Sequence, residues 1–258
     1  MMLNRFRNCF IFAASAVVLA TSALAVPAIK NVVLVHGAFV DGSGWQPVYE
    51  ILTKDGYHVT LVQEPLTSLE EDVAATRRVL DQQDGATILV AHSYGGTVIT
   101  EAGTDPKVAG LVFIAAHAPE VGETEAGNGK KFPNSSRPLV KTADGFLFLD
   151  PKNFPQDFAA DLPPAQAEFM AHAQMLTATK VFTTAVTTAA WKIKPSWYLV
   201  AKADKTINPD LERMYAERAH SHKVEVAGAS HAVYISHPKE VAALIEEAAT
   251  QAPIAGSH

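Results

Sequence analysis

Six short runs rich in β-branched and apolar residues punctuate the chain: 31–36 (NVVLVH), 58–63 (HVTLVQ), 86–91 (ATILVA), 108–115 (VAGLVFIA), 196–201 (SWYLVA) and 223–227 (KVEVA). The first is almost continuously apolar, the pattern of a parallel strand buried on both faces. Between the runs the apolar spacing becomes helical. Residues 45–54 form one such stretch. A second opens at Ser68-Leu69-Glu70-Glu71, the S-x-x-E capping-box pattern, and runs to about Gln82. Residues 97–102, 209–219 and 238–249 complete the set, the last two with Pro in the first turn, where its missing N–H costs nothing. Strands alternating with helices predict an α/β fold, with a mostly parallel sheet of about six strands flanked by helices.

Two segments depart from this rhythm. From about 119 to 191 the chain is richer in Pro, Asn, Thr and Ala, with apolar helical pieces such as 165–176. It reads as a helical cap inserted over the carboxyl edge of the sheet. The first 25 residues carry Arg5 and Arg7, a short apolar run from Cys9 to Ala20 and the small-x-small site Ala23-Leu24-Ala25. These are the three parts of a cleavable secretory leader, and the run is short for a membrane span. The expected organisation is therefore a leader over 1–25 and a single domain over 26–258, exported to the periplasm or medium and free of the membrane once mature.

Composition narrows the picture further. With 48% hydrophobic and 19% charged positions the chain can build an ordinary globular core. Its net charge of −6 argues against a nucleic-acid-binding surface. Cys9 is its one cysteine and lies in the leader, so neither an intrachain disulfide framework nor a cysteine-based zinc site is available.

The candidate chemistry sits where strands end. The third run continues into Ala91-His92-Ser93-Tyr94-Gly95-Gly96 and then a helix. A serine at a sharp strand-to-helix turn is exposed for nucleophilic attack, and its neighbours must be small. Ala91 stands where the G-x-S-x-G pattern has its first glycine. The first strand ends in His36-Gly37-Ala38-Phe39, a turn able to supply an oxyanion donor from the N–H of Ala38, with Phe39 as the alternative, beside the backbone N–H groups of the serine turn. No Lys-Ser/Thr follows the glycines here, so a phosphate-binding P-loop is excluded. A serine needs a base, and the base an orienting acid. His231 follows the last strand, with His237 as its nearest rival. His92 flanks the serine, but the turn aims its side chain away from Oγ, and the remaining histidines are expected on surfaces or in the cap. Asp204 follows the fifth strand, with Glu120 as runner-up. The order Ser93, Asp204, His231 matches Ser…Asp…His.

With HGAF…DGSGW, AHSYGG and the Asp and His loops, the chain resembles the α/β-hydrolase superfamily, in particular its small bacterial esterase-like members and the plant methylesterase and hydroxynitrile lyase branch. The resemblance implies Ser93 as nucleophile, His231 as base and acid, Asp204 as its partner, and Ala38 and Tyr94 as oxyanion donors. Hydroxynitrile lyases of the branch carry a lysine after the catalytic histidine, where this chain has Ala232. Dehalogenases and epoxide hydrolases use Asp where it has Ser93. The expected activity is ester hydrolysis on a small-molecule substrate with no metal or cofactor. A lactonase, amidase or cofactor-free perhydrolase would use the same residues, and a non-catalytic ligand-binding module is the reading from another class. From the cap, Trp191, Phe146 and Met175 are expected to line the substrate pocket together with Phe39.

Overall fold

The computed structural model describes residues 29–253, so the expected leader lies outside the described residues. Six strands, β1 (Asn31–Val35), β2 (His58–Leu61), β3 (Thr87–Ser93), β4 (Val108–Ala116) and two later ones at Ser196–Ala201 and His222–Val226, form one sheet. The last two are β8 and β9, because the intervening segment adds β5 (Val140–Lys141), β6 (Phe146–Phe148) and β7 (Thr177–Ala178). The sheet order is β2-β1-β3-β4-β8-β9, and every pairing is parallel.

Burial explains why four of the strands read so clearly. β1, β3 and β8 are buried at every residue and β4 at all but one, so no polar face is needed. β2 and β9 are the edges and stay half-exposed. The helices of the layers are α1 (Gln46–Lys54), α2 (Leu69–Asp81), α3 (Gly95–Ala102), α8 (Pro209–Arg218) and α10 (Pro238–Gln251). α1 packs on α10, and α2 on α3. Ser68 caps α2 by accepting from the Glu71 N–H at 3.2 Å. The reciprocal half of the capping box is missing, because the Glu71 carboxylate accepts from the Thr67 hydroxyl instead.

The segment between β4 and β8 is less helical than its sequence predicts. It holds α4 (Glu125–Lys131), α5 (Phe154–Asp157), α6 (Pro164–His172) and α7 (Thr179–Thr183), together with the small antiparallel sheet β5-β6-β7. The short α9 (Val233–Ser236) follows the His231 loop.

Candidate active site

The β3–α3 turn is built around close approach. Ser93 has φ +54°, a left-handed conformation that costs a non-glycine residue roughly 1–2 kcal/mol. The register of β3 against β4 slips between His92 and Ser93, and Ala115 opposite also has a positive φ of 42°. Such a bulge re-aims a side chain at the end of a strand. A Cβ on Gly95 would strike the carbonyl oxygen of His36, and one on Gly96 that of His117. At Gly37 it would lie 2.6 Å from the Ser93 Cβ. The turn therefore demands glycine at all three positions for lack of space.

Three loops deliver Ser93, His231 and Asp204 to one point. Ser93 Oγ lies 2.9 Å from His231 Nε2, and His231 Nδ1 lies 2.5 Å from Asp204 Oδ2. All three residues are buried. The other carboxylate oxygen of Asp204 accepts the N–H groups of Thr206 (2.7 Å) and Ile207 (2.9 Å), which fixes the carboxylate plane. Asp204 thus accepts the Nδ1 proton and leaves His231 Nε2 as the acceptor facing Ser93. The imidazole is further held by Phe158, edge-on at 4.7 Å between centroids, and by His92, whose Nε2–H donates to the His231 carbonyl at 2.9 Å. Burial holds His92 well below the usual histidine range, so an uncharged ring lies 4.6 Å from that of His231.

The rival residues lie elsewhere. Glu120 pairs with Lys192 at 2.6 Å. His237 precedes α10, makes no side-chain capping bond and contacts Ser236 Oγ at 2.8 Å.

Among the described residues neither the Ala38 nor the Tyr94 N–H donates to a protein acceptor. The Phe39 alternative fails, because its N–H donates to Thr177 Oγ1 at 3.2 Å. The orientation of the Ala38 N–H traces to His36. The His36 Nε2 accepts the Glu64 N–H at 2.9 Å, so the ring proton is on Nδ1 and donates to the Gly37 carbonyl at 2.9 Å. Burial lowers the His36 pKa, in keeping with this neutral tautomer. Gly37 C=O and Ala38 N–H belong to one planar trans peptide and point in opposite directions. Pinning the carbonyl back on His36 turns the N–H away from it, and Ala38 itself lines the cavity that holds Ser93. The Tyr94 side chain is anchored likewise: its hydroxyl donates to Asp72 at 2.7 Å, and burial pushes that carboxyl up to about 6. If the Ala38 N–H serves as an oxyanion donor, His36→Leu is expected to lower kcat on a reactive ester about 10- to 100-fold with a smaller change in KM, since it loosens that N–H without deleting it. A kcat within twofold of the parent would show that other contacts orient the turn.

The cavity measures about 510 Å³. Its walls include Phe39, Leu147, Leu149, Phe182, Ile207 and Leu211. Of the four expected pocket residues only Phe39 lines it. Trp191 is fastened outside: its indole N–H donates to the Pro119 carbonyl at 3.0 Å, and Arg218 stacks 5.3 Å from the ring. Phe146 is absent because Leu147 and Leu149 occupy the inward positions of that extended segment, and side chains alternate in facing. Met175 bridges Phe39 through the backbone, N–H to carbonyl at 3.2 Å, and packs against the core. Two polar residues not anticipated from sequence, His117 and Glu125, share the cavity with Ser93. His117 directly follows β4, and ligands in parallel α/β sheets sit at the carboxyl ends of strands; that position was the available signal. Among the described residues no group of three His, Cys, Asp or Glu side chains could hold a metal ion.

The arrangement can pass a proton from Ser93 to His231 and leaves the Ala38 and Tyr94 N–H groups without a protein acceptor. Comparison with known proteins gives a consistent picture. The chain is 26% identical to the rice (Oryza sativa subsp. japonica) esterase PIR7B over 253 residues, covering 82% of this chain and 92% of that protein. Its structure superposes on a pyrethroid hydrolase from Sphingobium faniae JZ-2 with a TM-score of 0.70 at 23% identity, covering 87% of this chain and 98% of the other. Tomato methylketone synthase I, solved with 2-tridecanone, gives a TM-score of 0.75 at 16% identity over 87% and 99%. The sequence profile of the alpha/beta hydrolase family matches residues 32–244, and the chain belongs to that family.

Proposed function

We infer that the protein hydrolyses a carboxylic ester through an acyl-enzyme on Ser93. The observation that carries this reading is the line Ser93 Oγ–His231 Nε2–Asp204, with separations of 2.9 and 2.5 Å, beside the unused N–H groups of Ala38 and Tyr94. Ser93 Oγ attacks the carbonyl carbon as its proton passes to His231 Nε2. The carbonyl electron pair collects on oxygen between the two N–H donors. Collapse of the adduct breaks the bond to the leaving oxygen, which takes the proton from Nε2–H. Water then repeats the sequence on the acyl-enzyme, releasing the carboxylic acid and restoring Ser93. Asp204 stabilises the transient imidazolium. The apolar walls from Leu147, Leu149, Phe182, Ile207 and Leu211 suit a substrate with an apolar acyl or alkyl part. The rice relative, named an esterase, supports the same reaction class.

A fluorophosphonate probe tests the reading, because it phosphonylates only a serine whose hydroxyl is activated. One equivalent is expected on Ser93, and a panel of esters, lactones and amides is expected to favour esters. A chain that takes up no label would be a ligand-binding module, and the reading would fall. Faster turnover of lactones or amides would replace the ester with that substrate on the same residues.

A further inference from the structure

The cavity that holds Ser93 has polar residues at several points of its wall, Asn134, Arg137 and Asn208 among them, and one buried polar pair that the hydrolytic steps do not use. Glu125, the first residue of α4, and His117, just after β4, line it together. Glu125 is only 5% exposed. Its Oε1 accepts the Thr97 hydroxyl, and Thr97 stands in the first turn of α3, four residues after Ser93. The main-chain N–H of His117 donates to the Ser93 carbonyl at 3.0 Å. The pair is thus tied to both elements that carry the serine.

The positions of the protons follow from the neighbours. The Asn128 amide nitrogen donates to Glu123 at 2.9 Å and to Tyr215 Oη at 3.0 Å. Tyr215 Oη is therefore an acceptor towards Asn128, and its own proton is free for His117 Nδ1, 3.4 Å away. That leaves the ring proton of His117 on Nε2. Burial keeps the ring neutral by pushing its pKa down to about 3. Burial also pushes Glu125 up to about 8, against the opposing pull of the Thr97 hydroxyl. Since Oε1 already accepts from Thr97, the acid proton belongs on Oε2. Oε2 and His117 Nε2 lie 3.4 Å apart. The hydroxyl oxygen can at most accept weakly from Nε2–H at that distance, so the acid proton has no acceptor until one enters beside the pair.

We propose that the His117 Nε2–H and the carboxyl O–H of Glu125 form a two-donor clamp, selecting esters that carry an acceptor oxygen, an ether or a carbonyl, besides the scissile group. The clamp rests on the esterase reading and gives its substrate class. An apolar pocket alone ranks substrates by size. A buried donor pair adds a penalty for any chain that fills the space without an acceptor, because the donors are then left unpaired.

The other groups around Glu125 are known. Tyr94, Tyr215 and Glu64 sense its charge, and burial pushes the Glu64 carboxyl well above the usual carboxylate range. Glu123 is engaged by Arg218 at 3.0 Å. On α7, which packs against α4, Lys180 is the one charged residue and is exposed. At a pH below about 8 the acid form donates; above it a carboxylate accepts from His117 Nε2–H and repels an ether oxygen.

The test compares two nearly isosteric esters in a pH-stat, methyl 3-methoxypropanoate and methyl pentanoate, in which an ether oxygen replaces a methylene. The quantity read is the ratio of their kcat/KM values within each protein. The wild-type ratio is expected to favour the ether about tenfold at pH 7 and to fall towards unity by pH 9.5, consistent with one neutral hydrogen bond. Glu125→Leu should abolish the preference at every pH. Glu125→Gln, whose amide can still accept from Thr97 and donate from its nitrogen, should retain a preference that no longer changes with pH. If Glu125→Leu does not fold, the wild-type and Glu125→Gln pH profiles decide the matter between them. A wild-type ratio near one at pH 7, or pH profiles that coincide in wild type and Glu125→Gln, would overturn the clamp while leaving the esterase reading intact. Failure of the wild type to turn over either ester, with no fluorophosphonate label, would take both down.

Discussion

Ser93→Ala is expected to lower the turnover of a short-chain 4-nitrophenyl ester by about four to six orders of magnitude while leaving the fold intact. The size of the effect follows from the role of the hydroxyl. Without Oγ no covalent acyl-enzyme forms, and His231 has no proton to take in the first step. What remains is the help that binding and the oxyanion donors give to a direct attack by water. The fold should hold because the turn is set by contacts that alanine leaves alone. Gly37, Gly95 and Gly96 keep their close approaches to Ser93 Cβ, the His36 carbonyl and the His117 carbonyl. The left-handed φ of 54° is as available to alanine as to serine. The variant should therefore melt within a few degrees of the parent, bind ester with similar affinity and take no fluorophosphonate. Activity within tenfold of the parent would remove Ser93 from the chemistry altogether.

What the sequence could reveal depended on how local each cause was. The four central strands announced themselves because burial on both faces leaves no polar positions to confuse the pattern; 196–201 coincides with β8 residue for residue. The edges were less sharp. β2 ends at Leu61, two residues before the predicted limit, since an edge strand is paired on one side and its end is set by that single partner, β1. Ser93 and its glycines were legible because the constraint is packed into six consecutive residues. Asp204 and His231 were singled out by strand ends together with the chain order Ser…Asp…His.

The cap was not legible in this way. Its small sheet pairs Phe146 with Ala178 and Lys141 with Leu147 through two- and three-residue strands whose partners lie far off in the chain. A one-residue change of facing decides which side chain meets the cavity, and the sequence offered the larger Phe146 in place of Leu147. Glu125 reads as an ordinary charged residue opening a helix. Only the fold brings it against Thr97 and His117, where burial alters its protonation. Trp191 and Phe158, large and apolar, serve to hold the cap and to wedge His231.

Asp204→Asn should be nearly as damaging as loss of the nucleophile, with kcat falling about 10⁴-fold, while Glu120→Gln stays within about twofold of the parent. The reason is a tautomer. One side of the Asp204 carboxyl faces the N–H groups of Thr206 and Ile207, and only an oxygen satisfies both. An asparagine must therefore turn its carbonyl to those donors and its NH₂ to His231 Nδ1. A donor at that point requires Nδ1 to accept, which moves the ring proton to Nε2. Nε2–H then faces Ser93 Oγ and cannot take its proton. The geometry would survive and the base would be lost, so the variant should fold, bind ester and fail to acylate. Glu120 offers no such coupling, since its carboxylate is engaged with Lys192 and is partly exposed. Stopped-flow acylation with a 4-nitrophenyl ester separates the two outcomes, because the burst of nitrophenol reports acylation directly. A burst preserved in Asp204→Asn and abolished in Glu120→Gln would transfer the orienting role to Glu120. A burst lost only in Asp204→Asn, with substrate affinity unchanged, ties the protonation state of His231 to the two backbone donors that hold Asp204 in place.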